Sequence, residues 1–240
     1  MGVPFPALKT MVTVFLLLMG NMSPVVLQSS TPLSMVKAFA YEVVTPGSSL
    51  ACNTVQDLVD THHKVTVVIQ VENWTRYRMM VPRLQIANDG ASITNPVAIL
   101  PGKREAFAVR MPSSGRKGVY GTVSWELNKA NRRFVLMWSA PYDFNHHSNW
   151  LGLGMTGEGL VDVAAGNTWF DQMYYNSSNA SLKFVRKKFY YNLDPFIYSN
   201  KKFEAEGEMT NGHKVWVRVI VRPSSNNWED LAYVIRQKLD

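Results

Sequence analysis

Between residues 64 and 221 the chain is cut into short runs of β-branched and aromatic residues, and this pattern constrains the fold more than any other feature. Runs at 64–72 (KVTVVIQVE), 105–111 (EAFAVRM), 119–127 (VYGTVSWEL), 133–139 (RFVLMWS), 150–155, 203–209 and 215–221 (VWVRVIV) are strand-like. They alternate in part, and such residues suit a pleated, half-buried surface. Turn clusters separate them: Asn88-Asp89-Gly90, Pro101-Gly102, residues 112–115 and Asn211-Gly212. Asn-Gly between two alternating runs is a strong hairpin signal. Many short strands at this spacing predict an antiparallel sandwich or barrel. There is no internal repeat and no low-complexity stretch.

The flanks have a different character. Lys9 is the only charge before residue 30, and residues 11–20 (MVTVFLLLMG) are almost wholly apolar. A basic residue, a short apolar core and a polar flank read as a secretory signal peptide over residues 1–30, cleaved between about residues 20 and 31. The chain is therefore expected to be secreted. In residues 31–63, Leu33, Val36, Ala40, Val43 and Val44 fall near one helical face; Leu50, Val55, Leu58 and Val59 form a second. Pro46-Gly47 predicts a break between them. The segment reads either as surface helices docked on a core or as an amphipathic element able to enter a membrane. A helix is predicted over 168–175 (TWFDQMYY). Another is predicted over 227–239, where Glu229 and Asp230 lead and Arg236 and Lys238 follow, matching a helix dipole. The expected division is a signal peptide (1–30), an N-terminal amphipathic segment (31–63), a β-domain (64–222) and a helical extension (223–240).

Composition narrows the function. Of 240 residues, 46% are hydrophobic and 18% charged, which excludes a disordered chain. Beyond residue 30 no apolar run reaches the ~18–20 residues of a spanning helix. Cys52 is the single cysteine, so an intrachain disulfide is impossible. It either pairs between chains or is buried as a small hydrophobe. Lys and Arg total 25 against 18 Asp and Glu, with 7 Trp, 10 Tyr and 11 Phe. That balance suits an anionic or interfacial partner.

Residues 138–151 (WSAPYDFNHHSNWL) concentrate the chemistry. Trp138, Tyr142, Phe144 and Trp150 alternate with Asp143, two Asn and two His. A core strand has no need of those polar groups, and a solvated loop has no need of four large rings. The mixture suits a membrane interface. Further on come Trp169, Phe170, Tyr174 and Tyr175, with positions 170 and 174 one helical turn apart. Aromatic faces attract quaternary ammonium, the headgroup of choline lipids. The bland alternative is that these rings fill the core. For Trp138 that reading is favoured; for Trp150 and Tyr174 the two readings balance.

The run SAPYDFNHHSNW at 139–150, with YYN at 174–176, resembles the actinoporins, pore-forming cytolysins whose signature is S-x-P-Y-D-[YF]-N-x-x-S-N-W. A weaker resemblance covers residues 47–221, including Gly47-Ser48-Ser49-Leu50 and residues 64–71. It implies a mainly β fold: an antiparallel β-sandwich flanked by an N-terminal amphipathic helix and a second short helix. It implies binding of choline-lipid headgroups, sphingomyelin favoured, followed by helix insertion and assembly into a homo-oligomeric cation pore at the target cell membrane. By position, Val123, Ser139, Pro141, His147, Phe170, Tyr174 and Tyr175 would form the phosphocholine site. Tyr142, Phe144, His146 and Trp150 would meet the interface, Asp143 would order the loop, and Leu50, Val55, Leu58 and Val59 would belong to the inserting helix. The sequence carries no nucleophile elbow, P-loop or dinucleotide fingerprint, and secretion disfavours a nucleic-acid partner, so no enzyme, cofactor, metal or nucleic-acid partner is expected.

Departures from the family pattern are specific. His146 and His147 stand where large aromatics are usual, Phe170 where a tyrosine is usual and Leu151 where a second tryptophan is usual. No Arg-Gly-Asp follows Tyr175; the loop expected there carries Lys183, Arg186, Lys187 and Lys188, which suits anionic headgroups. Asp143 with His146 and His147 matches no common zinc spacing. Sequons stand at Asn73, Asn176 and Asn179, and a glycan at Asn176 would crowd the tyrosines. A non-lytic secreted module, binding lipid or glycan on the same sandwich, is the competing reading.

Overall fold

A computed structural model describes residues 31–51, 54–59 and 62–239. The signal peptide expected over 1–30 and the readings of Cys52 lie outside the described residues. Four α-helices are described: α1 (Leu33–Val43), α2 (Val55–Val59), α3 (Thr168–Tyr175) and α4 (Tyr233–Arg236). The strands of one sheet are β1 (Thr45–Pro46), β2 (Thr66–Asn73), β4 (Ala91–Ser92), β5 (Lys103–Arg110), β10 (Phe196–Ser199), β11 (Phe203–Met209) and β12 (Lys214–Pro223). Those of the other are β3 (Met79–Ile86), β6 (Val119–Leu127), β7 (Arg132–Ala140), β8 (Asn149–Thr156) and β9 (Leu182–Phe189). The first sheet has the order β1-β5-β2-β12-β11-β10, with β4 on β5; the second is β3-β6-β7-β8-β9. β1 and β5 pair in parallel, as do β2 and β12; the other pairs are antiparallel. The fold is the expected β-sandwich.

Strand parity builds the core. Val67, Ile69 and Val71 of β2, Phe107 of β5, Val217 and Val219 of β12 point inward from one sheet. Val123 and Trp125 of β6, Leu136 and Trp138 of β7, and Leu151 and Leu153 of β8 meet them from the other. Trp138 is fully buried, its ring 6.4 Å from that of Phe107. Strand β2 is buried along its whole length, because its outward residues are covered too. Leu58 of α2 packs with Val68, Ala106 and Ala108, and Leu50, Val55 and Val59 lean on that cluster. The residues expected to insert into a membrane are thus docked on the sheet.

The break at Pro46-Gly47 is present, and its cause is more than proline. Thr45 and Gly47 donate to the carbonyls of Gly102 and Arg104, at 3.2 and 2.8 Å, making a short strand beside β5. The amides of Ser48 and Ser49 then donate to the Glu105 carboxylate, at 2.9 and 2.8 Å. A Cβ at Gly47 would fall 1.9 Å from Glu105 Oε1, so this close approach needs glycine.

Three segments differ from expectation. Residues 182–189, read as part of a basic loop, are the edge strand β9. Strand β3 is the other edge of that sheet, where Pro82 costs no ladder bond. The tail is not one helix over 227–239. After a 3₁₀ turn at Trp228–Asp230 the chain extends, and Ala232 N–H donates to Trp74 O at 2.8 Å before α4 begins. Leu231, Ala232 and Ile235 then bury themselves with Val36, Ala40 and Val44 of the N-terminal segment and with Trp74 and Ile220. Among the described residues no helix is long and apolar enough to cross a membrane.

Candidate functional site

Helix α3 rests on the outer face of the second sheet. Trp169, Phe170 and Met173 are buried there with Val135, Met137 and Leu182. Arg186 of β9 donates to Met173 O at 2.7 Å, tying the last turn of the helix to the sheet edge. With 169 and 173 anchored, 170 and 174 share the neighbouring stripe. The rings of Phe170 and Tyr174 stack at 5.3 Å; Tyr120 of β6 lies 4.9 Å from Phe170. Tyr174 meets Tyr175 edge-on at 4.8 Å and Trp150 at 6.0 Å. Arg186 lies over the Trp150 ring at 5.9 Å.

The loop 141–148 faces this aromatic ladder and is ordered by its own polar residues. Asp143 Oδ1 accepts the Asn145 N–H at 2.9 Å. The Asn149 amide, fully buried, donates to the carbonyls of Thr210 and Gly212 in the β11–β12 hairpin. His213 from that hairpin places Nε2 2.7 Å from Tyr142 O, and its ring stacks on Tyr142 and tilts against Phe144. These contacts explain why Asp, Asn and large rings share one run.

Between loop and helix lies a pocket of about 390 Å³. Ser139, Pro141, Tyr142, Asp143, His147, Phe170, Tyr174 and Tyr175 line it, together with Arg116, Lys117 and Tyr120. Burial chiefly, with Tyr175 adding to it, raises the Tyr174 pKa against the opposing Ser139 hydroxyl and Arg186. Burial also raises the Tyr120 pKa. Both phenols therefore remain protonated donors at neutral pH. One wall is aromatic, another is cationic, and Asp143 sits on the loop side. This chemistry accommodates a zwitterion: ring faces for a quaternary ammonium, guanidinium and ammonium for a phosphate.

Val123, expected in the headgroup site, is elsewhere, and Phe144, His146 and Trp150, expected at the membrane interface, do not line the pocket. Val123 is fully buried in the sandwich core, because it has the inward parity of Val119 and Trp125; Tyr120, of opposite parity, is the β6 residue at the pocket. Phe144 is engaged with His213. His146 is exposed outside the lining, and Trp150 backs Tyr174 from β8. Among the described residues no group of His, Cys, Asp and Glu is arranged to hold a metal. Asn73 is fully buried, donating to Tyr77 O and Ile99 O, so its sequon is closed in the folded chain; Asn176 and Asn179 are exposed.

Arg116 and Lys117 were not legible as site residues. The signal was the turn cluster at 112–115 running into Arg116-Lys117-Gly118. Gly118 has φ +84°, and a Cβ there would stand 2.1 Å from Ala140 O and 2.7 Å from Pro141 Cα. Glycine lets the cationic loop lie against the loop 141–148. Gly118→Ala is expected to cost at least ~1–2 kcal/mol from the left-handed backbone alone, read as a lowered midpoint in urea.

Comparison with protein-family models gives no match. Among curated proteins, Conoporin-Cn1 of Conus consors is 59% identical over 239 residues, covering 100% of this chain and 95% of that protein. Tereporin-Ca1 of Terebra anilis is 50% identical over 190 residues, 78% of this chain and 100% of the relative. Among solved structures, one titled as the lipid binding protein Nakanori shares the fold at TM-score 0.50 and 11% identity, covering 79% of each chain.

Proposed function

The chain belongs to the actinoporin-like family of pore-forming proteins, and from that premise we propose that it is a secreted cytolysin acting at the target cell membrane. It binds choline-lipid headgroups, sphingomyelin among them, in the pocket between α3 and the loop 141–148. Its N-terminal segment then leaves the sandwich, inserts and assembles with other copies into a cation-conducting pore. No enzymatic step is involved.

The observation that carries the reading is the pairing of an aromatic wall (Tyr120, Phe170, Tyr174, Tyr175) with a cationic one (Arg116, Lys117) in one pocket. A quaternary ammonium has no N–H to donate, so ring faces are its natural partners, at up to about 2 kcal/mol when desolvated. The phosphate beside it needs the cations and the phenol donors. His147, from the loop 141–148, also lines the pocket.

The docking of α1 supports release. Lys37 pairs with Glu206 at 2.7 Å, and Arg218 lies under the Tyr41 ring at 4.9 Å. The surface beneath α1 is therefore partly charged, and water can solvate it once the helix has left. The competing non-lytic reading draws on one observation, the clamp of Ser48 and Ser49 on Glu105. Dye release and sedimentation, run on the same liposomes with and without sphingomyelin, separate the two. Release supports the cytolysin; binding without release selects the non-lytic module; neither rejects the headgroup site. Tyr174→Ala, and to a lesser degree Trp150→Ala, is expected to weaken liposome binding roughly tenfold. Unchanged binding by both variants would reject the assignment of the pocket.

A further inference from the structure

The pocket lies at one end of the sandwich, and strand register identifies what else lies there. Val119 pairs with Ala140, and Asn149 pairs with Phe189. The loops 111–118, 141–148 and 190–195 therefore emerge at the same end. The last of these, between β9 and β10, plays no part in the pocket. Its composition is nevertheless unusual for a solvated turn. Tyr191 is 93% exposed, Leu193 42% and Tyr190 38%. The rings of Tyr190 and Tyr191 meet edge-on at 4.3 Å.

The loop holds a defined shape. Asp194 N–H donates to Asn192 Oδ1 at 2.9 Å, and Lys187 Nζ donates to Asn192 Oδ1 and to Asp194 O. Ordering of this kind keeps Tyr191 turned outward. The loop is also continuous with the pocket. Tyr174 touches Trp150, Trp150 pairs across the strands with Lys188, and Lys188 Nζ lies over the Tyr190 ring at 5.7 Å. Tyrosine, an aliphatic residue and lysine side by side form the mixture that sits at headgroup depth in a bilayer, ring inward and ammonium toward phosphate.

We propose that the loop 190–195 is a second membrane contact, with Tyr191 and Leu193 resting in the headgroup layer of the bilayer whose lipid occupies the pocket, and Lys188 beside them on lipid phosphate. This inference rests on the headgroup reading of the pocket and adds to it. A second contact at the same end of the sandwich restricts its tilt on the membrane more than the pocket alone does.

The test compares the full mature protein, Tyr191→Ala/Leu193→Ala and Tyr174→Ala by sedimentation with phosphatidylcholine vesicles, with and without sphingomyelin. Exposure of both loop side chains means that the double variant should melt with the parent. It is expected to bind about tenfold more weakly on both vesicles, while Tyr191→Trp retains binding, because an interfacial contact reads a ring and not a headgroup. Parental affinity in the double variant, with loss in Tyr174→Ala, overturns the loop contact and leaves the pocket reading intact. Loss in the double variant with parental affinity in Tyr174→Ala supports the loop and rejects the pocket. Parental binding with lost dye release assigns the loop to contact with a second copy and overturns the proposal. Absence of binding by the parent protein rejects both.

Discussion

A chain of residues 50–240 is expected to sediment with choline-lipid liposomes as the chain of residues 31–240 does and to release no dye from them. The proposed headgroup pocket and the segment proposed to insert are on opposite sides of the molecule. The pocket is built on the outer face of the five-stranded sheet, between α3 and the loop 141–148, whereas α1 covers the outer face of the other sheet. Removal of residues 31–49 takes away the burial of Val36 and Val44, at about 1.5–3 kcal/mol each, the Lys37–Glu206 pair, the β1 pairing and the bonds of Ser48 and Ser49 to Glu105. It leaves the main core untouched, so the sandwich is expected to fold with reduced stability. The loss of lysis follows from length. Helix α1 has 11 residues, about 16 Å at 1.5 Å each, against a hydrocarbon core of about 30 Å. Insertion therefore has to recruit residues beyond Pro46. These must first give up the β1 ladder and the two bonds from Ser48 and Ser49 to Glu105. The docked apolar face of Leu50, Val55, Leu58 and Val59 must leave with them. Full release by the truncated protein would reject this mechanism and leave the headgroup site standing.

What was legible in the sequence follows the physics of each element. The seven strand runs were readable because they are short, β-branched and aromatic; β11 alternates in burial, whereas β2 and β7 are buried almost end to end and read as continuous apolar runs. Strand β9 was not, because it is an edge. Lys183, Arg186, Lys187 and Lys188 protect its free side, which is how edges avoid pairing with other chains, and the same charges imitate a solvated loop. Strand β3 was hidden by Pro82 and by the positive φ of Val81. The tail has helical spacing, yet Trp74 O captures the Ala232 N–H and extends the chain between two short turns. At the site, the aromatic wall was readable because one helix supplies most of it at a spacing of four. The cationic wall was not, since only the pairing of Val119 with Ala140 brings the loop of Arg116 and Lys117 to Pro141. Parity decides Val123 against Tyr120, and parity cannot be assigned from a resemblance whose register is loose.

Arg222→Ala is expected to be the most destabilising single substitution outside the apolar core. The guanidinium is fully buried on β12, donating to Glu204 at 3.1 Å and Glu206 at 2.7 Å across to β11. Its removal leaves two carboxylates close together under α1, with Lys37 as the remaining partner of Glu206. Breaking a buried ion pair from one side costs about 3–5 kcal/mol, equivalent to roughly 6–20 °C in Tm for a chain of this size. The pH dependence has a definite sign. Burial pushes the Glu206 pKa upward, but the hydrogen bonds and charges of Lys37 and Arg222 outweigh it and hold the carboxyl below the ordinary 4.5. A depressed folded pKa contributes stability that is present above the unfolded value and lost as pH falls through the folded one. The parent protein should therefore melt at a nearly constant temperature down to about pH 4.5 and weaken below it. In Arg222→Ala, Glu206 has lost one of its two cations, so its folded pKa rises toward the unfolded value and the acid weakening that this carboxyl contributes becomes smaller. Glu206→Gln in the parent background removes that acid limb while keeping shape. An unaltered acid limb in Glu206→Gln would mean that other carboxylates, and not this cluster beneath α1, govern stability in acid.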